Sequence, residues 1–230
     1  MKTRLILIEG LPGAGRTTTV DGLKSAGIDW CTAKVDFYNQ YDNPLNAFWT
    51  WGDGAVENEV VEEPYDSAKF TVRILERTYR LVNRSLSQDL CVVMEGYPFQ
   101  LVIRNMLKML GTEDDCREYY RRFVDAVSYC SPHLFYLQHP NWRSRIAQMT
   151  ESRGEAFRTI FFTAMTRTPY GRMHSVDTDA KVIDFYESCY RFGLSLLDTW
   201  PFGLTRLDPI ALGRQGTLDA IVATLSQPEQ

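Results

Sequence analysis

The sequence predicts an α/β protein in which helices cover both faces of a parallel sheet. Three observations carry this. The first is "RLILIEG" at 4–10, an unbroken apolar run of the kind found in a strand buried on both faces. The second is that similar runs recur between helical patterns: "CTAKVDF" at 31–37, "DLCVVMEG" at 89–96, "HLFYLQ" at 133–138 and a weaker "LTRLD" at 204–208. The third is "GLPGAGRT" at 10–17, placed directly after the first run. It keeps the spacing of the phosphate-binding P-loop, G-x-x-x-x-G-K-[ST], with Arg16 where the lysine belongs.

The elements follow in order. Thr17 to Lys24 read as a helix that Gly27 stops, which supplies the strand, loop and helix context the motif needs. Phe70, Ile74, Thr78, Val82 and Leu86 recur at helical spacing with charges opposite, a crossover helix between the second and third strands. Helical patterns cover 99–110 and 113–129, and Thr217 to Ser226 read as a closing helix. Such sheets bind ligands beyond the carboxyl ends of their strands, so the chemistry should gather at one edge. Two stretches fit no element. Residues 39–65 mix tryptophans, carboxylates and turn residues and read as a substrate-side insertion, while 139–175 carry Arg143, Arg145, Arg153, Arg158, Arg167 and Arg172. There are no repeats or low-complexity runs, and 1–230 reads as a single domain.

Composition narrows the partners. Hydrophobic residues make up 44% and charged residues 23% of the 230 residues, and the net charge is -4 with basic residues scattered. That pattern argues against nucleic acid or a membrane surface and for a small-molecule partner. Five cysteines (Cys31, Cys91, Cys116, Cys130, Cys189) without a C-x-x-C pair read as reduced thiols. His133, His139 and His174 are isolated, so no zinc site is expected, and no G-x-S-x-G points to a hydrolase. The apolar run near the start is too short for a signal peptide or membrane span, and a cytoplasmic address is expected.

The loop's chemistry can be read residue by residue. Gly10, Gly13 and Gly15 give the permissive backbone that lets N–H groups of the loop (Leu11, Pro12, Ala14 and Thr18 complete it) face phosphate oxygens, and the following helix adds its positive end. Arg16 keeps the lysine's charge as a longer, planar fork. Thr17 is the residue type that holds Mg²⁺ through its hydroxyl. Phe37, Tyr38, Tyr41, Phe48, Trp49 and Trp51 either line a pocket for a planar acceptor or pack in the core.

Taken together, "LIEGLPGAGRTTT", "VDFYNQ", "VVMEGYPFQ", "YLQ", "ESRGEAF" and "TPYGR" resemble the P-loop kinases of nucleosides, nucleotides and small metabolites. That group includes thymidylate kinase-like proteins, chloramphenicol phosphotransferase and the tunicamycin-resistance ATP-binding protein. The resemblance is sharpest at the phosphate loop. It implies a five-stranded sheet in the order 2-3-1-4-5, ATP (or GTP) with Mg²⁺, and an arginine-bearing helical lid within 139–175. It further implies that Asp36, at the end of the second strand, is the catalytic base, unless it serves only in strand-end hydrogen bonding. Glu95 would hold Mg²⁺ with Thr17 or bind an acceptor hydroxyl. Arg153, with Arg143 and Arg145, would close over the nucleotide. The acceptor would meet Asp36, Phe37, Tyr38, Trp49, Arg77 and Tyr97.

The expected activity is ATP-dependent phosphorylation of a hydroxyl on a nucleoside, an antibiotic or a related metabolite, and a homodimer is allowed. A nucleoside monophosphate kinase is the nearest rival. It needs a basic acceptor-phosphate pocket, whereas residues 37–65 are acidic and aromatic, and Arg73 and Arg77 on the adjacent helix are the only obvious candidates. The change from lysine to Arg16 favours a third reading, a nucleotide-binding sensor or resistance protein without transfer activity.

Overall fold

The computed structural model describes residues 3–25, 33–38 and 66–226. The expectations for Trp49 and for the rest of the 39–65 insertion lie outside these residues. The chain begins β1 (Leu5–Gly10), α1 (Arg16–Ser25), β2 (Lys34–Tyr38), α2 (Ser67–Ser87) and β3 (Leu90–Glu95). A π-helical turn (Phe99–Ile103) then leads into α3 (Arg104–Lys108), α4 (Glu113–Val127) and β4 (His133–Leu137). The helices α5 (Trp142–Ser152), α6 (Gly154–Thr166), α7 (Pro169–Met173) and α8 (Asp179–Leu197) precede β5 (Gly203–Leu207) and α9 (Pro209–Leu225).

The five strands form one sheet in the order β2-β3-β1-β4-β5, the order the resemblance implies, and every neighbouring pair is parallel. Strand alternation sorts the core into two layers. Leu5, Leu7, Val92, Met94, Leu134 and Tyr136 face one side, where α2, α4 and the end of α8 pack. Ile6, Ile8, Cys91, Val93, Phe135 and Leu137 face the other, against Val20 and Leu23 of α1 and Leu218 and Ile221 of α9. Both faces are therefore dry, which is why the strands read as unbroken apolar runs. The register pairs Ile8 with Glu95, Tyr38 with Met94 and Gly10 with Leu137, so these strands end along one edge.

Three elements differ from expectation. The stretch 139–175, which shows no clear periodicity, is largely helical, as α5, α6 and α7. These helices and α8 share a separate core of Ile146, Met165, Val176, Val182, Phe185 and Tyr186, so tertiary packing sustains them. The pattern at 99–110 is split, with the π turn ahead of a five-residue α3. The closing helix starts early, at Pro209, where Asp208 caps it by accepting from the Ile210 and Ala211 amides, and it breaks at Gly213. Among the described residues no helix is long and apolar enough to cross a membrane.

Candidate functional site

Leaving β1, the chain turns sharply against β4. A Cβ on Gly10 would lie 2.5 Å from the Leu137 carbonyl oxygen, and its φ of 146° belongs to the region glycine favours, so only glycine passes here. The loop ends as the Thr19 amide bonds the Gly15 carbonyl at 2.9 Å and α1 begins. The helix N-terminus and the loop thereby open onto a cleft of about 370 Å³. Pro12, Gly13 and Gly15 to Thr18 form its floor. Gln100, Leu101, Arg104, Asn105 and Lys108 form one wall, and side chains of α5 and α6 form the other.

Alternation decides which acidic side chains reach this floor. In β3, Cys91 and Val93 face α1, so Glu95 faces it too, and the Thr17 hydroxyl donates to Glu95 Oε1 at 2.7 Å. In β1, Leu5 and Leu7 face the opposite layer, and Glu9 with them. Its fully buried carboxylate accepts from the Phe99 amide at 2.7 Å and from the Gly10 amide at 3.3 Å. Burial pushes Glu9 up to about 7, against the pull of the Arg16 guanidinium and these backbone donors.

Arg16 is itself only 6% exposed, and its Nη1 has no hydrogen-bond partner among the described residues. Burial lowers its pKa, while Glu9 and Glu95 hold it up. The guanidinium lies under Gly96, where a Cβ would come within 2.5 Å of Nη1. Arg145 Nε donates to the Gly13 carbonyl at 2.8 Å, tying α5 to the loop, and Arg153 stands at the α5–α6 joint with its guanidinium 4.7 Å from the Phe157 ring centroid.

Of the expected site residues, the structure brings Pro12, Gly13, Gly15, Arg16, Thr17, Thr18, Glu95, Arg145 and Arg153 to one cleft. Leu11 and Ala14 shape the loop behind it through an Ala14 amide bond to the Leu11 carbonyl. Others are placed elsewhere. Asp36 faces α2, because Val35 and Phe37 take the α1 side of the strand, and it is paired with Arg84 Nη2 at 2.5 Å and not with anything in the cleft. Tyr38 accepts from Arg84 Nη1 at 2.6 Å, and Phe37 packs on the α1-side core. Tyr97 is a core residue, its hydroxyl 2.7 Å from Thr78 Oγ1 and its ring edge-on to Phe123. Arg143 is engaged with Asp184 and Glu187 on α8, and Arg77 lies on α2, neither lining the cleft.

The sequence reading missed Glu9, Arg104, Lys108 and the apolar wall of Phe157, Ile160 and Phe161. Arg104 and Lys108 are four apart just after a strand end, a spacing that places both on one helix face. Glu9 had no comparable signal, since an acid inside an apolar strand reads as a strand end.

No protein-family model matches the chain, and no curated protein does. Solved structures do. The chain is similar to the YorR protein of Bacillus subtilis in complex with phosphorylated GDP, at 11% identity and TM-score 0.48 over 96% of this chain and 95% of that one. It is similar to APE1195 at 10% identity and TM-score 0.50, over 97% and 95% of the two chains. Deoxyadenosine kinase of M. mycoides with bound dATP matches at 13% identity and TM-score 0.46, over 97% and 100%. At such identities the likeness is one of fold, an arrangement of five parallel strands and covering helices.

Proposed function

We propose that this protein is a nucleoside-triphosphate-dependent phosphotransferase acting on a small molecule. One observation carries the reading: the glycine loop, the Thr17–Glu95 pair and the cations Arg16, Arg145 and Arg153 all meet at one cleft. Loop amides and the α1 N-terminus suit phosphate oxygens. A threonine hydroxyl and a carboxylate in mutual contact are hard oxygen donors that fit Mg²⁺, and when bound that ion neutralises charge on the phosphates. Arg145 and Arg153 would stabilise charge developing on the transferred group from the lid side. Either ATP or GTP fits this chemistry. The reading is tested with γ-labelled ATP or GTP, Mg²⁺ and a panel of nucleosides, nucleotides and hydroxylated antibiotics. Label in an organic product is the expected result, and tight nucleotide binding with no product across the panel would defeat it.

A second reading, nucleotide binding without transfer, draws on the burial of Arg16, whose guanidinium is enclosed under Gly96 rather than free to follow a moving phosphoryl group. Arg16→Lys separates the two. Under the second reading the wild type is inert, and the substitution restores transfer.

A further inference from the structure

The cleft holds more positive charge than the phosphate loop accounts for. Beyond Gln100 the π turn runs into α3, which places Arg104 and then Lys108, one helical turn apart, in the lining of the same cleft. Both cations lie 5.8 Å from the centroid of the Tyr186 ring. Among the described residues neither has a carboxylate partner, and Arg104 Nε is buried with no acceptor. Two neighbouring half-buried cations repel each other and lose hydration, an arrangement that is costly unless an anion joins them. Burial, reinforced by Arg104, brings the Lys108 amine down to about 7. The same cleft is lined by the apolar and aromatic side chains of Phe157, Ile160 and Phe161, the last stacked on Tyr186 with ring centroids 5.2 Å apart.

We propose that Arg104 and Lys108 form an acceptor-phosphate subsite, so that the acceptor is a phosphomonoester of a ring-bearing molecule, with nucleoside monophosphates the fitting class. The inference rests on the phosphotransferase reading above and deepens it. It also accounts for Asp36. A hydroxyl acceptor needs a base to take its proton, whereas a phosphomonoester oxygen is already ionised near neutrality. The terminal phosphorus of the nucleoside triphosphate forms a bond to that oxygen, and its bond to the bridging oxygen breaks. The nucleoside diphosphate leaves with the electron pair, and the acceptor becomes a diphosphate with no proton to remove. An Asp36 held by Arg84 on the α2 face is then no loss to the chemistry.

The test uses the full chain with its nucleotide site filled by a non-hydrolysable ATP analogue. Calorimetry then compares nucleosides with their 5′-monophosphates. The monophosphates should bind at least about tenfold more tightly, and Lys108→Met or Arg104→Gln should remove that preference while costing ATP affinity far less than they cost monophosphate affinity. Thermal melts confirm that the variants fold, and Arg104→Lys should recover part of the preference. Labelled ATP should give nucleoside diphosphates as products. Equal binding of nucleosides and monophosphates, or a preference that survives both variants, overturns the subsite even where ATP binding and transfer to a hydroxyl stand. Failure of the wild type to bind ATP overturns the phosphotransferase reading and the subsite with it.

Discussion

A side chain at residue 96 would compete for space with the Arg16 guanidinium, since a Cβ there would lie 2.5 Å from Nη1. Gly96 also sits at φ 70°, so alanine would carry a backbone cost of about 1–2 kcal/mol whatever stands opposite. The steric part depends on Arg16 being an arginine. Gly96→Ala should therefore weaken ATP binding by about tenfold or more in the wild-type background and much less in an Arg16→Lys background, a coupling that a double-mutant cycle reads directly. Equal losses in both backgrounds would show that the two residues are not linked. Asp36 calls for the opposite expectation from the one its strand-end position suggests. Its partner Arg84 is substantially exposed, so Asp36→Asn should cost less than about 1 kcal/mol of stability and leave turnover within about twofold of wild type. A loss of about a hundredfold, with the fold intact, would return the base role to Asp36.

Among the elements, α5 is the one that joins lid to loop, through the bond from Arg145 Nε to the Gly13 carbonyl. Arg145→Ala removes that bond and a cleft cation together, so nucleotide affinity should fall by roughly tenfold to a hundredfold in calorimetry, with little change in melting temperature of the free protein. Unchanged affinity would mean that the lid does not meet the nucleotide through α5. The same element shows where the sequence is legible and where it is not. β1, β3 and β4 declare themselves because both faces of the sheet are dry, and the loop declares itself because Gly10 must pass close to β4 and Gly13 close to α5. The lid helices do not, because Ile146, Met165 and Phe185 become a core only once α5 to α8 are assembled. The surroundings of Asp36 are hidden from the sequence for a related reason. Alternation fixes which residues share a face, but the identity of the facing helix, and so the Arg84 partner, comes from tertiary structure. Arg104 and Lys108 likewise gain meaning only when the wall they share is set opposite the lid.

At the scale of the whole molecule, a buried carboxyl and a half-buried amine bend stability against pH in opposite directions. Glu9, held up near 7 by burial, binds a proton in the folded chain where the unfolded chain has released it, so its contribution is complete below about 4.5 and is lost as pH rises to about 7. Lys108 runs the other way. Its amine is lowered from 10.5 to about 7 by burial and by Arg104, with Cys189 pulling it up from α8, so its contribution is complete above 10.5 and is lost as pH falls through about 7. The two losses overlap near neutrality, the Lys108 one tempered by its partial exposure. Melting curves across pH should show the difference between wild type and Glu9→Gln falling between pH 4.5 and 7 and level above, and the difference between wild type and Lys108→Met rising between pH 7 and 10.5 and level below. A phosphomonoester bound at Arg104 and Lys108 favours the charged amine, so saturating ligand should flatten the alkaline limb of the wild type and leave the Glu9 limb in place. An alkaline limb that the ligand does not touch would separate Lys108 from the anion it is proposed to meet.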